Sequence, residues 1–128
     1  MKNLFSFLLI AILSGCLFGC ATAKKVLPLH DEVLIYELPY DLTYLRTLEA
    51  LDNQSGWVLD ETEKEKGIIR IRNVEFSRWD DADLRSLTFN IKRIDRSHTS
   101  IALAPESQRS LNGGDMLKVI GDRLKADL

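Results

Sequence analysis

The apolar residues of this chain fall into three zones of different period. Residues 4–13 (LFSFLLIAIL) form one apolar run softened only by Ser6. Residues 21–30 show no period and carry Lys24 and Lys25. From Val33 onward, short segments alternate with period two or recur every three to four positions, the signatures of strands and amphipathic helices.

Val33-Leu34-Ile35-Tyr36-Glu37-Leu38 is rich in strand formers and stops at Pro39, which predicts a strand over 33–38. Asp41 is placed as the N-cap of a helix whose apolar face is Leu42, Leu45, Leu48 and Leu51, with Tyr44 beside them. Asn53, Ser55 and Gly56 end it, with Gly56 as a left-handed C-cap. Trp57-Val58-Leu59 begins a second strand, and the charged stretch 61–67 makes a turn closed by Gly67. A third strand over 68–72 turns Ile69 and Ile71 to one side and Arg70 and Arg72 to the other. A polar connection over 73–83 holds Phe76 and Trp79. In the fourth strand, over 84–94, Leu87, Phe89 and Ile91 alternate with Ser86, Thr88, Asn90 and Lys92. A fifth over 99–104 turns Ile101 and Leu103 inward. After a loop over 105–114, Asp115 is placed as the cap of a last helix striped by Leu117, Ile120 and Leu124.

The predicted order is β-α-β-β-β-β-α. Each strand has one apolar face and each helix one apolar stripe. The economical arrangement is an α+β fold, an antiparallel-rich sheet with two helices packed on one face. The other face, with Arg70, Arg72, Thr88, Asn90 and Lys92, is left for water or a partner.

The first zone has the build of an export signal: basic Lys2, the apolar run, then the small residues of Leu13-Ser14-Gly15-Cys16. A bilayer span needs about 20 apolar residues, so the run is short for one, and an uncleaved anchor helix is the alternative. Leu13-Ser14-Gly15-Cys16 resembles the lipobox of bacterial lipoproteins. That resemblance implies a diacylglyceryl group on the Cys16 thiol, cleavage just before it and acylation of the new amino terminus. Leu17-Phe18-Gly19-Cys20 is a second match, with Cys20 as the alternative lipidation site. The implied layout is a signal peptide over 1–15, a lipidated tether over 16–30 and one α+β domain over 31–128. In the family, an aspartate after the cysteine favours the inner membrane. Leu17 follows Cys16 here, which implies the inner leaflet of the outer membrane, with the domain facing the periplasm. One acyl chain holds only marginally at about 0.8 kcal/mol per buried CH₂, whereas several hold stably.

Composition narrows the picture. Removing the signal leaves about 110 residues, enough for one domain with one core. With 45% hydrophobic and 28% charged residues, the remainder is globular rather than disordered. A formal net charge of −2 argues against nucleic acid as a partner, because that partner calls for a basic surplus. The two cysteines lie four positions apart, before the domain, so the domain has no disulfide to draw on.

Candidate chemistry is sparse. His30 and His98 have no metal-ligand spacing and read as surface histidines. There is no G-x-S-x-G elbow. Asp80-Asp81-Ala82-Asp83 lacks the glycine and final glutamate of a calcium loop. Asn112-Gly113-Gly114-Asp115 could open an anion-binding helix, but loop and cap is the commoner use. Asp60, Glu61 and Glu63 read as a solvated hairpin tip. Trp79 beside Arg78 offers a stacking surface, although closure of one end of the core is the preferred reading for it. Arg70, Arg72, Arg85 and Arg93 could form a basic strip unless acids neutralise it. Arg70, Arg72 and Trp79 are therefore the candidate partner-binding residues, with no catalytic residue, metal or cofactor expected.

From residue 33 onward, the strand and helix before "GWVL", the "KGIIRIR" strand and the late "TSIAL" before a final helix resemble small envelope lipoprotein domains of unknown function. They are loosely similar to the helix-grip domains of the third lipoprotein of the β-barrel assembly machinery. The expectation is a non-enzymatic adaptor held at the membrane by its lipidated cysteine, with another envelope protein as partner. A periplasmic domain binding a small or lipidic ligand is the second reading. A peptidoglycan-acting enzyme is the third.

Overall fold

The chain begins its described course at Leu27. The computed structural model describes residues 27–79 and 82–126. Residues 27–30, expected to end a tether, lie against the domain: Leu29 bridges Arg109, and the His30 amide donates to the Gln108 carbonyl at 2.7 Å.

Strand β1 (Leu34–Tyr36) is followed by helix α1 (Tyr40–Asp52). Pro39 marks the boundary because it has no N–H for a ladder and its fixed φ suits a helix start. Its carbonyl accepts the Thr43 amide at 3.0 Å and the Thr43 hydroxyl at 2.9 Å. Pro39 thus occupies the N-cap position, and no side chain caps the helix. Asp41, expected to cap it, lies inside the first turn. There its charge suits the helix dipole, and it pairs with Lys64 at 2.9 Å.

The buried face of α1 also differs from the expected leucine row. Thr43, Tyr44, Thr47, Ala50 and Leu51 are buried, whereas Leu45 is 48% exposed. Residues three apart advance about 300°, so a row of three-residue steps drifts until Leu42 and Leu51 lie about 180° apart. The true seam follows four-residue steps through Thr43, Thr47 and Leu51, and the two threonine hydroxyls are satisfied by backbone carbonyls. Gly56 does have a left-handed φ of +81°, but Asn53 is the C-cap. The glycine serves the turn into β2 (Trp57–Glu63), where its carbonyl accepts the Val74 amide.

β2 runs farther than its first three residues and takes in the acidic stretch through Glu63. Those acids find cations on the neighbouring strand and turn, as described below. The turn to β3 (Ile68–Asn73) shortens accordingly, and Gly67 closes it at φ +68°. β4 (Ser86–Arg93) and β5 (Thr99–Leu103) follow, then a single 3₁₀ turn (Pro105–Ser107) and helix α2 (Leu111–Lys125). The sheet order is β1-β5-β4-β3-β2, with every neighbouring pair antiparallel. α1 and α2 pack against each other over one face of it, giving the α+β arrangement expected. Ile69, Ile71, Leu87, Phe89, Ile101 and Ile120 are fully buried between the layers.

α2 starts four residues earlier than the expected cap. The Ser110 hydroxyl accepts the Gly113 amide at 3.0 Å, and Asp115 is an ordinary exposed residue of the helix. The glycines of this turn are there for contact rather than for a loop. A Cβ on Gly113 would stand 2.8 Å from Leu103 Cδ1, and one on Gly114 would stand 2.5 Å from the His30 ring. His30 is accordingly only partly exposed.

Candidate functional site

The outer face of the sheet is built by β3 and its two neighbours. Arg70 and Arg72, two residues apart on β3, project to the side opposite Ile69 and Ile71. The register places Arg70 between Glu61 of β2 and Thr88 of β4. Its guanidinium meets Glu61 at 2.7 Å, and its Nε donates to the Thr88 hydroxyl at 3.2 Å. Arg72 pairs more loosely with Asp60 at 3.8 Å. Lys66 closes the row by meeting Glu63 at 2.8 Å, and its ammonium holds the Glu63 carboxyl below the usual range. A basic strip is thus not what this face presents. Acids of β2 and cations of β3 and its turn alternate across it. Glu61 and Glu63, the nearest thing to a carboxylate pair, are both engaged by cations.

The other two arginines go elsewhere. Arg85 lies outside the strands, and Arg93 ends β4 with its guanidinium 5.3 Å from the centre of the Tyr40 ring. Tyr40 donates its hydroxyl to the Lys64 carbonyl at 2.5 Å, which ties the start of α1 to the β2–β3 turn. Around this contact lies an open depression of about 620 Å³, lined by Tyr40, Asp41, Lys64, Lys66, Lys92 and Arg93 among others. Lys64 and Lys66 are committed to Asp41 and Glu63, which leaves Lys92 and Arg93 against the one remaining acid of its lining, Glu65.

Trp79 is not part of the core. It lies on the β3–β4 connection with 91% of its surface exposed. The connection is polar and gives the indole no apolar layer to close, so the core reading fails. The structure brings Arg70 and Arg72 together on one face and leaves Trp79 on its own loop. Asp80 and Asp81, the first two acids of the 80–83 cluster, lie outside the described residues, as do Cys16 and Cys20.

Asp83 is the site residue that sequence reasoning missed. Its carboxylate accepts the Ser110 hydroxyl at 2.6 Å and the Asn112 amide at 2.8 Å. The N-terminus of α2 therefore holds an anion supplied by the protein itself. The only hint was an aspartate at the end of an acidic run, and nothing in the spacing links it to Ser110.

The two histidines keep separate company. His98 Nδ1 lies 2.9 Å from Asp95, and that hydrogen bond raises the imidazole pKa above its ordinary value while lowering that of Asp95. His30 lies 3.4 Å from Glu32. Among the described residues, no group of three or more histidine, cysteine or acidic side chains gathers as a metal site. No helix among them is long and apolar enough to cross a membrane.

Fold and surfaces together define a two-helix, five-stranded antiparallel α+β domain. No protein-family model matches the chain, and no curated protein matches it.

Proposed function

We propose that this chain is a lipid-anchored protein of the bacterial cell envelope whose domain binds another envelope component and catalyses nothing itself. Cys16 carries the lipid, with Cys20 as the alternative, and the domain faces the periplasm from the inner leaflet of the outer membrane. The observation that carries the reading is Leu13-Ser14-Gly15-Cys16 placed directly after a basic start and an apolar run. The outer sheet face with Arg70 and Arg72, and the exposed Trp79, are the surfaces offered to a partner.

The intact mass of the full chain purified from bacterial membranes tests the anchor. The expected result is loss of residues 1–15 and a gain of acyl mass, both abolished by Cys16→Ser. An unprocessed, unmodified chain would overturn the reading. Cross-linking in intact cells then tests the adaptor role, with capture expected to fall in the Arg70→Gln/Arg72→Gln double variant. The two ion pairs are exposed, so each change should cost under about 1 kcal/mol, and lost capture would not reflect lost folding.

A second reading, a domain for a small anionic ligand, draws on the depression of about 620 Å³, where Lys92 and Arg93 exceed the one uncommitted acid, Glu65. The packing of helix and sheet leaves such a ligand no room beside Trp57, Phe89 and Leu45. Phe89 is wholly buried in packed core, and Leu45 faces solvent.

A further inference from the structure

The two edges of the sheet are treated differently. Edge strands offer unpaired N–H and C=O groups to any passing strand, and proteins blunt them with charge, bulges or cover. β2 has such protection: it carries Asp60, Glu61 and Glu63, and its register shifts between Leu59 and Glu61. β1 has no such shift; its guard is its three-residue length and the flanking Glu32 and Glu37, and no charge lies within it. Among the described residues no strand lies outside it, and Ile35, with Val33 just before the strand, is well exposed, at 62% and 58%. Behind that edge runs a groove of about 440 Å³ between β1 and the overhanging flank of α2. Gly114, Leu117 and Gly121 are the uncharged residues on the α2 side of its lining.

We propose that two copies of this chain associate through their β1 edges, continuing the sheet across a two-fold axis. The groove favours a second copy over an unrelated strand because its charges are balanced and self-complementary. Its lining carries two acids and two bases: Glu32 before β1, and Lys118, Asp122 and Lys125 along α2. A two-fold axis perpendicular to the sheet runs the two α2 helices antiparallel. Lys118 of one copy then approaches Asp122 of the other, and a two-fold contact of this kind closes on itself.

The register follows from charge. Pairing centred on Leu34 would set Asp31 opposite Glu37 of the second copy, and like charges directly opposite are destabilising. Pairing centred on Ile35 sets Ile35 against Ile35 and Glu37 against Val33, with no such clash. The dimer therefore has Ile35 at its axis, and its two Ile35 Cα atoms stand about 4.5–5.5 Å apart.

Sedimentation equilibrium of the full chain, with site-specific cross-linking, tests this. The wild-type chain should be a reversible dimer. Ile35→Cys should give a disulfide-linked dimer on mild oxidation, whereas Val58→Cys, on the guarded β2 edge, should behave as the wild type with its own cysteines. The exposed double substitution Val33→Lys/Ile35→Lys should weaken dimerisation by about tenfold or more, with a melting temperature equal to that of the wild type once both are diluted to monomer. A wild-type monomer would overturn the proposal, whether or not an extended apolar peptide binds at Ile35. So would a dimer that survives the double substitution and is not trapped by Ile35→Cys.

Discussion

The Asp83 carboxylate accepts a hydrogen bond from the Ser110 hydroxyl at 2.6 Å across 27 positions of sequence. Ser110 in turn accepts the Gly113 amide at 3.0 Å, and Asp83 accepts that of Asn112 at 2.8 Å. Two of the orphan amides of α2 are thereby satisfied, and a negative charge stands at the positive end of the helix dipole. Asp83 thus fastens the β3–β4 connection to the last helix.

Asp83→Ala removes both acceptors and should lower stability by about 1–2 kcal/mol. Asp83→Asn retains one carbonyl oxygen and loses the charge, so it should cost less. Urea denaturation of the two variants against the wild type measures this. An Asp83→Ala midpoint equal to that of the wild type would mean the contact contributes nothing.

The register of β4 makes a second expectation. Phe89 is wholly buried opposite Ile69 and Leu103, so Phe89→Ala should cost about 3–5 kcal/mol. Thr88, on the outer face, accepts from Arg70, which is partly exposed and can turn to water instead. Thr88→Ala should cost about 1 kcal/mol. The same denaturation experiment ranks the pair, and a reversed order would contradict the pairing of β4 with β3.

The strands were legible because period two is short and unforgiving: one slip moves every side chain to the wrong face. Ile69, Ile71, Leu87, Phe89, Ile91, Ile101 and Leu103 all face inward as their alternation predicts. Helix details were less legible. α1 buries two threonines whose hydroxyls bond to the preceding turn, so part of its seam is invisible to a count of apolar residues. α2 opens with Asn112-Gly113-Gly114, which reads as loop until Leu103 and the His30 ring are found close against it. The charge pattern of the outer face was hidden for another reason. Glu61 sits opposite Arg70 only once the bulge in β2 sets the register, and Asp60, unpaired at that bulge, reaches Arg72 at 3.8 Å.

The β4–β5 turn should make stability depend on pH. Asp95 accepts the Ser97 and His98 amides, each at 2.8 Å, and faces the His98 ring. His98 has its pKa raised above 6.5, first by the Asp95 hydrogen bond and then by nearby acidic charge, including Glu37. Its contribution is full below about 6.5 and is lost as pH rises through the higher folded value. Asp95 has its pKa lowered below 3.8, chiefly by His98, so its contribution is full above that and is lost as pH falls through the lower folded value. Asp95→Asn keeps a carbonyl for the two amides and removes the charge. Its deficit against the wild type should therefore be larger at about pH 5.5 than at about pH 8.5. An equal deficit at both would sink the coupling, and NMR titration of His98 in the variant should show its pKa reduced.

The left-handed glycines give the sharpest contrast. Gly67 and Gly56 have φ of +68° and +81°, a region that costs a side-chain-bearing residue about 1–2 kcal/mol. At Gly56 an added Cβ would meet the Glu75 carboxylate at 3.2 Å, the far end of a flexible side chain that can move away. At Gly67 it would overlap the Ile91 carbonyl oxygen, which is backbone of β4 and cannot move alone. The Gly67 carbonyl also accepts the Ile91 amide at 2.7 Å, so relief would tear the turn from the sheet. Gly56→Ala should thus cost only the conformational strain, about 1–2 kcal/mol. Gly67→Ala should cost clearly more, about 3 kcal/mol or above, because overlap adds to strain. Thermal and urea unfolding of the two variants side by side decide it. Equal losses would mean that the hairpin turn lifts off β4 without penalty, and that the tie between Gly67 and Ile91 does not hold the β2–β3 hairpin in register.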